Sequence, residues 1–149
     1  MIEVKFYEGV EDGLLQFAVI VARYKKQWVI CKHKSRDTYE VPGGHREPGE
    51  AILDTAKREL QEESGAIDFE LTPICVYSVS GKDGVISDLT ETYGMLYFAE
   101  VHRIGPLPEF EIEQVILSEE LPKNWTYPLI QPKLMEKVIM NIGKEHEIY

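Results

Sequence analysis

Three carboxylates, Glu59, Glu62 and Glu63, crowd the end of one expected helix in this chain, where each repels the others. Residues 50–64 carry apolar side chains at helical spacing, with Ile52, Leu53, Ala56 and Leu60 on one stripe. Gly65 can take the left-handed conformation that ends a helix. With Ile52 set at zero and roughly 100° per residue, Ala56 falls near about 40°, Leu60 near about 80° and Leu53 near about 100°. On the same wheel Glu63 lies near about 20°, Glu59 near about 340° and Glu62 near about 280°. A merely solvated face would set its acids opposite the apolar stripe. Here they flank the stripe and intrude on it.

Like charges three and four apart destabilise a helix, and its C-terminus disfavours anions. A cation is the natural occupant of such a cluster. Hard divalent ions, Mg²⁺ or Mn²⁺, take carboxylate oxygens and commonly share them with a substrate phosphate. The plainer alternative is a charged surface helix with Lys57 and Arg58 as partners. The preceding loop favours the cation. Gly43 and Gly44 permit a close backbone approach or a tight turn just ahead of the helix. Arg58 is placed to pair with Glu50 or another acid and to hold the loop down.

The rest of the chain reads as strands around two helices. Residues 14–24 and 27–33 form a hairpin, 38–44 a short strand stopped by Pro42-Gly43-Gly44, and 45–50 a loop. Residues 69–79, 91–101 and 113–118 are strand-like, with a turn at 80–84. Residues 129–143 make a second amphipathic helix with Pro132 in its first turn and Gly143 at its end. The expected class is α+β, with a mixed β-sheet in a single domain spanning 1–149.

Charge and cysteine usage narrow the partners. The formal net charge of −10 repels duplex nucleic acid, which is bound through basic phosphate contacts. Cys31 and Cys75 lie in apolar runs and show no C-x-x-C spacing, as for packing residues in a reducing compartment. The first residues are acidic early and lack the long apolar core of a secretory leader, and no apolar run reaches membrane length, so the expected location is cytoplasmic, with no membrane partner.

Gly44, five residues, Glu50, seven residues, then Arg58-Glu59-Leu60-Gln61-Glu62-Glu63-Ser64-Gly65-Ala66 reproduces the Nudix box, residues 44–66. The chain resembles a Nudix hydrolase, and the order of its elements is similar to that family's α/β/α sandwich. Only the last slot, Ala66, is smaller than the usual aliphatic residue. The resemblance implies metal-dependent hydrolysis of a phosphoric anhydride in a nucleotide. It implies Glu62 and Glu63 as metal ligands, and Glu59 as a ligand or the general base. It also implies a Gly43 carbonyl turned to the metal, with Gly44, Glu50 and Arg58 supporting the loop. A further acid from a distant loop is expected in the family. Glu109, Glu111 and Glu113 are on offer; the adjoining strand favours Glu109 or Glu111, and the sequence does not choose between these two.

Markers of the ADP-ribose and dinucleoside-polyphosphate branches fit poorly, because Pro73 and Tyr77 come too early. The chain is therefore most similar to the MutT-like branch, which acts on oxidised dGTP and related nucleoside triphosphates. Alternatives are ADP-ribose, a dinucleoside polyphosphate, 5′-triphosphate RNA, or a nucleotide-binding module without catalysis. Asn124, Trp125 and Tyr127 are candidates to meet the base, Arg46 and His45 to meet phosphate. Lys32, Lys34 and Arg36 form one local basic cluster, and a monomer or a homodimer is expected.

Overall fold

The structure, a computed structural model, describes residues 2–81, 89–106 and 112–146. The elements run β1 (Ile2–Tyr7), a single 3-10 turn (Asp12–Leu14), β2 (Leu15–Tyr24), β3 (Gln27–His33), β4 (Gly43–His45) and α1 (Ile52–Ser64). They continue with β5 (Ala66–Gly81), β6 (Leu89–Ile104), β7 (Ile112–Ser118) and α2 (Gln131–His146). Among the described residues the strands form one sheet in the order β1-β5-β6-β2-β3-β7, with β4 paired to β2. β2 and β6 run parallel, Val21 opposite Phe98, and the other pairings are antiparallel. The sheet is therefore mixed, as expected. Among the described residues no helix is long and apolar enough to cross a membrane.

The β2–β3 hairpin closes over Lys25 and Lys26, both with positive φ (48° and 68°). Two-residue hairpin turns of this kind need that backbone to match strand twist. α1 ends as its sequence dictates. Gly65 sits at φ 76°, its N–H donates to the Gln61 carbonyl, and an added Cβ would meet the Gly105 carbonyl oxygen at 2.7 Å.

Each face of the sheet buries its own cluster. One packs α1 through Ala56 and Leu60 against Ala18, Ile20, Ala22, Val29, Tyr97 and Ala99. The other packs α2 through Leu134, Met135, Val138 and Ile142 against Val21, Ile30, Leu96 and Phe98. Cys31 and Cys75 are buried free thiols.

Four local expectations are corrected. Gly43 and Gly44 do not stop a strand; they form one, β4, opposite Val19 and Ala18. α2 runs through Gly143 to His146, because interior glycine weakens a helix without forbidding it. Leu53 is 42% exposed, and Thr55 takes its place in the buried arc. β1 had no counterpart in the sequence reading, since its alternation is short and interrupted by charge. The turn at 80–84 falls mostly outside the described residues. So do Glu109 and Glu111, and the side chain of Glu113.

Candidate active site

The buried arc of α1 is set by Thr55, Ala56, Leu60, Glu63 and Ser64. Glu63 is 8% exposed, so the acid that intrudes on the apolar stripe is drawn inside. A buried carboxylate needs partners. Its Oε1 accepts from the Gly43 N–H at 2.8 Å, and its Oε2 lies 3.4 Å from His33 Nε2. His33 Nε2 is also 3.0 Å from Glu40 Oε1, and Glu40 Oε2 accepts from Arg36 Nη1 at 3.1 Å.

Arg58 organises the loop ahead of α1. Its Nε and Nη2 donate to the two Glu50 oxygens at 2.8 and 3.0 Å, a fork-on-fork pair. Nη2 also donates to the His45 carbonyl at 3.0 Å. Nη1 donates to Glu59 Oε1 at 2.7 Å and reaches Glu62 Oε2 at 3.5 Å. Glu50 further accepts from the Thr55 hydroxyl at 2.7 Å and the Glu47 N–H at 3.1 Å. The Arg58 and Thr55 hydrogen bonds hold the Glu50 carboxyl down at about 2. Burial pushes Glu59 the other way, above the usual carboxylate range, with Glu62 and Glu50 adding to the rise against the pull of Arg58.

Gly43 and Gly44 join α1 to a cavity of about 570 Å³. A Cβ on Gly44 would run into the Glu59 carboxylate, and one on Gly43 would lie 2.7 Å from the Ala18 carbonyl oxygen. With no side chain there, Glu59 and Glu63 face the same cavity as Val19, Val41, Tyr77 and Leu134, which belong to the α2-side cluster. Arg36 and Tyr127 also line this cavity, with the guanidinium carbon 5.8 Å from the ring centroid.

The structure thus gathers Gly43, Gly44, Arg58, Glu59 and Glu63 around one cavity. Glu62 is not part of that lining; its side chain is 37% exposed and tied to Arg58. Among the described residues no three acid, His or Cys side chains converge as a ready ligand set. The donors on α1 are nevertheless all oxygens, the chemistry a hard divalent cation prefers.

Arg46 is occupied elsewhere: Nε donates to the Glu50 carbonyl at 2.6 Å, Nη1 to the Asp12 carbonyl at 2.8 Å, and Nη2 to Asp12 Oδ2 at 2.8 Å. It fastens the loop to the 3-10 turn and does not line the main cavity. Asn124 is exposed and offers its carbonyl to the Tyr39 N–H. Trp125 packs on the α2-side core, leaving Tyr127 as the residue of that trio at the cavity. Of the basic cluster, Arg36 reaches the cavity lining. The sequence reading missed His33, Glu40 and Gln131. No spacing in the chain signals that Glu40 and Glu63 approach one histidine.

The comparisons with known proteins agree with this architecture. Residues 14–138 match the NUDIX domain. YtkD of Bacillus subtilis (strain 168), named as a candidate 8-oxo-dGTP diphosphatase, is 34% identical over 106 residues, 70% of this chain. The match spans 63% of YtkD, so the chain covers less than two thirds of that relative. Among solved structures, a point mutant of the Bacillus subtilis pyrophosphohydrolase BsRppH superposes with a TM-score of 0.74 at 23% identity, over 93% of this chain and 90% of that one. A C. elegans Ap4A hydrolase does so with a TM-score of 0.63 at 16% identity, over 86% and 99%. By its box, its fold and the domain match over most of its length, this chain belongs to the Nudix family.

Proposed function

We propose that the protein is a divalent-metal-dependent pyrophosphohydrolase of nucleoside triphosphates, with oxidised dGTP the leading candidate substrate. One observation carries this reading: Glu59 and Glu63 share a cavity with Arg36 and Tyr127. Its volume lies in the range of small-molecule sites. An acidic end suited to a metal-bound polyphosphate thus lies in the same cavity as a cationic, aromatic wall suited to a nucleoside. The relation to YtkD supports the choice of oxidised dGTP.

Glu62 and Glu63, with the Gly43 carbonyl, would hold Mg²⁺ or Mn²⁺. Such an ion neutralises phosphate oxygens and acidifies bound water. Glu59 lines the same cavity and would act there as a further ligand or as the base that takes the proton from the attacking water. Arg58 keeps the loop and the acids in register through Glu50, Glu59 and the His45 carbonyl. Tyr127 offers a ring face to the base, and Arg36 donors to its edge or to phosphate. Glu62 reaches the ion by turning away from Arg58, a movement its exposure allows.

The test is a panel of dNTPs, oxidised dGTP, ADP-ribose, dinucleoside polyphosphates and triphosphorylated RNA, each with Mg²⁺ and with chelator. The expected result is Mg²⁺-dependent release of a nucleoside monophosphate and pyrophosphate from triphosphates, fastest for oxidised dGTP. Turnover confined to ADP-ribose, dinucleoside polyphosphates or RNA would overturn the substrate reading. Hydrolysis unaffected by chelator would overturn the metal reading.

A further inference from the structure

We propose that His33 is a positioning residue, clamped by Glu40, that holds the Glu63 carboxylate in the orientation the metal site needs. This rests on the reading above that Glu63 is a metal ligand. Three nearly buried polar side chains meet here: His33, Glu40 and Glu63 are 15%, 9% and 10% exposed. One nitrogen, His33 Nε2, stands 3.0 Å from Glu40 and 3.4 Å from Glu63. Two carboxylates this deep repel unless a donor sits between them, and Nε2 lies within reach of both, at 3.0 and 3.4 Å, although it is aligned for a hydrogen bond with neither.

The clamp is stiff on the Glu40 side. Glu40 exchanges two backbone hydrogen bonds with Cys31, at 2.8 and 2.9 Å, and its carbonyl also accepts from Cys31 Sγ. Its second carboxylate oxygen is held by Arg36. The β3–β7 register shifts between Lys32 and His33. Irregularities of this kind re-aim a side chain and are common beside active sites. Glu63 sits one residue from the end of α1, where a helix has its least rigid turn. With Gly43 holding Oε1 and His33 facing Oε2, both oxygens are located before any ligand arrives. A carboxylate offers about four lone-pair sites, so both contacts leave room for a metal.

The experiment measures Mn²⁺ binding to the whole chain by calorimetry without nucleotide, alongside kcat, KM and the thermal midpoint. Three replacements are compared. The His33→Gln amide nitrogen can stand in for Nε2, the His33→Asn amide is too short to reach, and His33→Phe has no donor. His33→Asn and His33→Phe are expected to weaken Mn²⁺ binding by about 10- to 100-fold, the usual effect of losing a group that orients a ligand. KM at saturating metal should move less than about threefold, and His33→Gln should recover most of the affinity. Adding His33→Asn to Glu63→Gln should cause no further loss, because the two act through one ligand. Wild-type Mn²⁺ affinity in a folded His33→Asn or His33→Phe protein would overturn the proposal, as would full additivity with Glu63→Gln. Equal losses in the Asn and Gln variants would overturn it too. If the unaltered chain binds no Mn²⁺, the metal reading falls and takes this proposal with it, before any variant is made.

Discussion

The two faces of the sheet solve helix packing in opposite ways. Beneath α1 half of the buried cluster is alanine: Ala18, Ala22, Ala56, Ala66 and Ala99, all at or below 1% exposure, lie beside Ile20, Leu60 and Tyr97. Beneath α2 the contacts are large, with Leu96, Phe98, Leu134 and Met135 filling the space. Alanines let a helix lie close and leave little room to adjust. Bulky side chains bury more area per residue and can repack. The difference suits the proposed chemistry. α1 must hold carboxylates at fixed depth, whereas α2 provides a stable wall for the cavity. Tolerance to change should therefore differ between the faces, and four measurements test this.

The largest effect is expected at the acids. Glu59→Gln should lower kcat by about 10²- to 10⁴-fold, while stability in denaturant holds or rises as repulsion is relieved. A variant with near wild-type turnover would break the assignment of chemistry to the α1 face. Next comes the α2 side. Met135→Ala removes a side chain 1% exposed and should destabilise by about 2–5 kcal/mol, with kcat of the folded fraction retained. Loss of kcat at full folding would show that the wall also shapes the catalytic site.

Overpacking the close face is the third. Ala56→Val should cost about 1–3 kcal/mol and, unlike Met135→Ala, should also reduce kcat, because displacing α1 moves Glu59 and Glu63. The smallest effect concerns pH. Glu50 is held at about 2 in the folded chain, below its value of about 4.3 when unfolded. The unfolded chain binds the extra proton, so the clasp's contribution is present above the unfolded value and fades as pH falls toward about 2. Unfolding curves of Glu50→Gln should lack that component of acid sensitivity, and parallel curves for both proteins would remove Glu50 from the loop's support.

Local rules made much of this legible. The β2–β3 hairpin, the Gly65 stop and Pro132 in the first turn of α2 all follow from residues near one another in the chain. The buried position of Glu63 was visible as an acid on an apolar stripe. What stayed hidden depends on distant partners. The crowding of His33, Glu40 and Glu63 needs β3, a bridge residue and the end of α1 to meet. Arg46 is a cation beside the box in sequence, but the 3-10 turn claims its donors. Leu53 lies at the edge of the helical stripe, and the first turns of α1 bury Thr55 on the other edge instead.

The glycines of β4 carry a lesson for anyone redesigning this chain. Neither Gly43 nor Gly44 has the left-handed backbone of Gly49, Gly65 or Gly81, so their dihedral angles alone would accept alanine. What forbids it is traffic through the strand: a single methyl at position 44 would block the passage by which side chains rooted in one layer open onto the hollow of the other. Substitution tables built on backbone preference would pass that change, and only a check of the space across the strand would catch it.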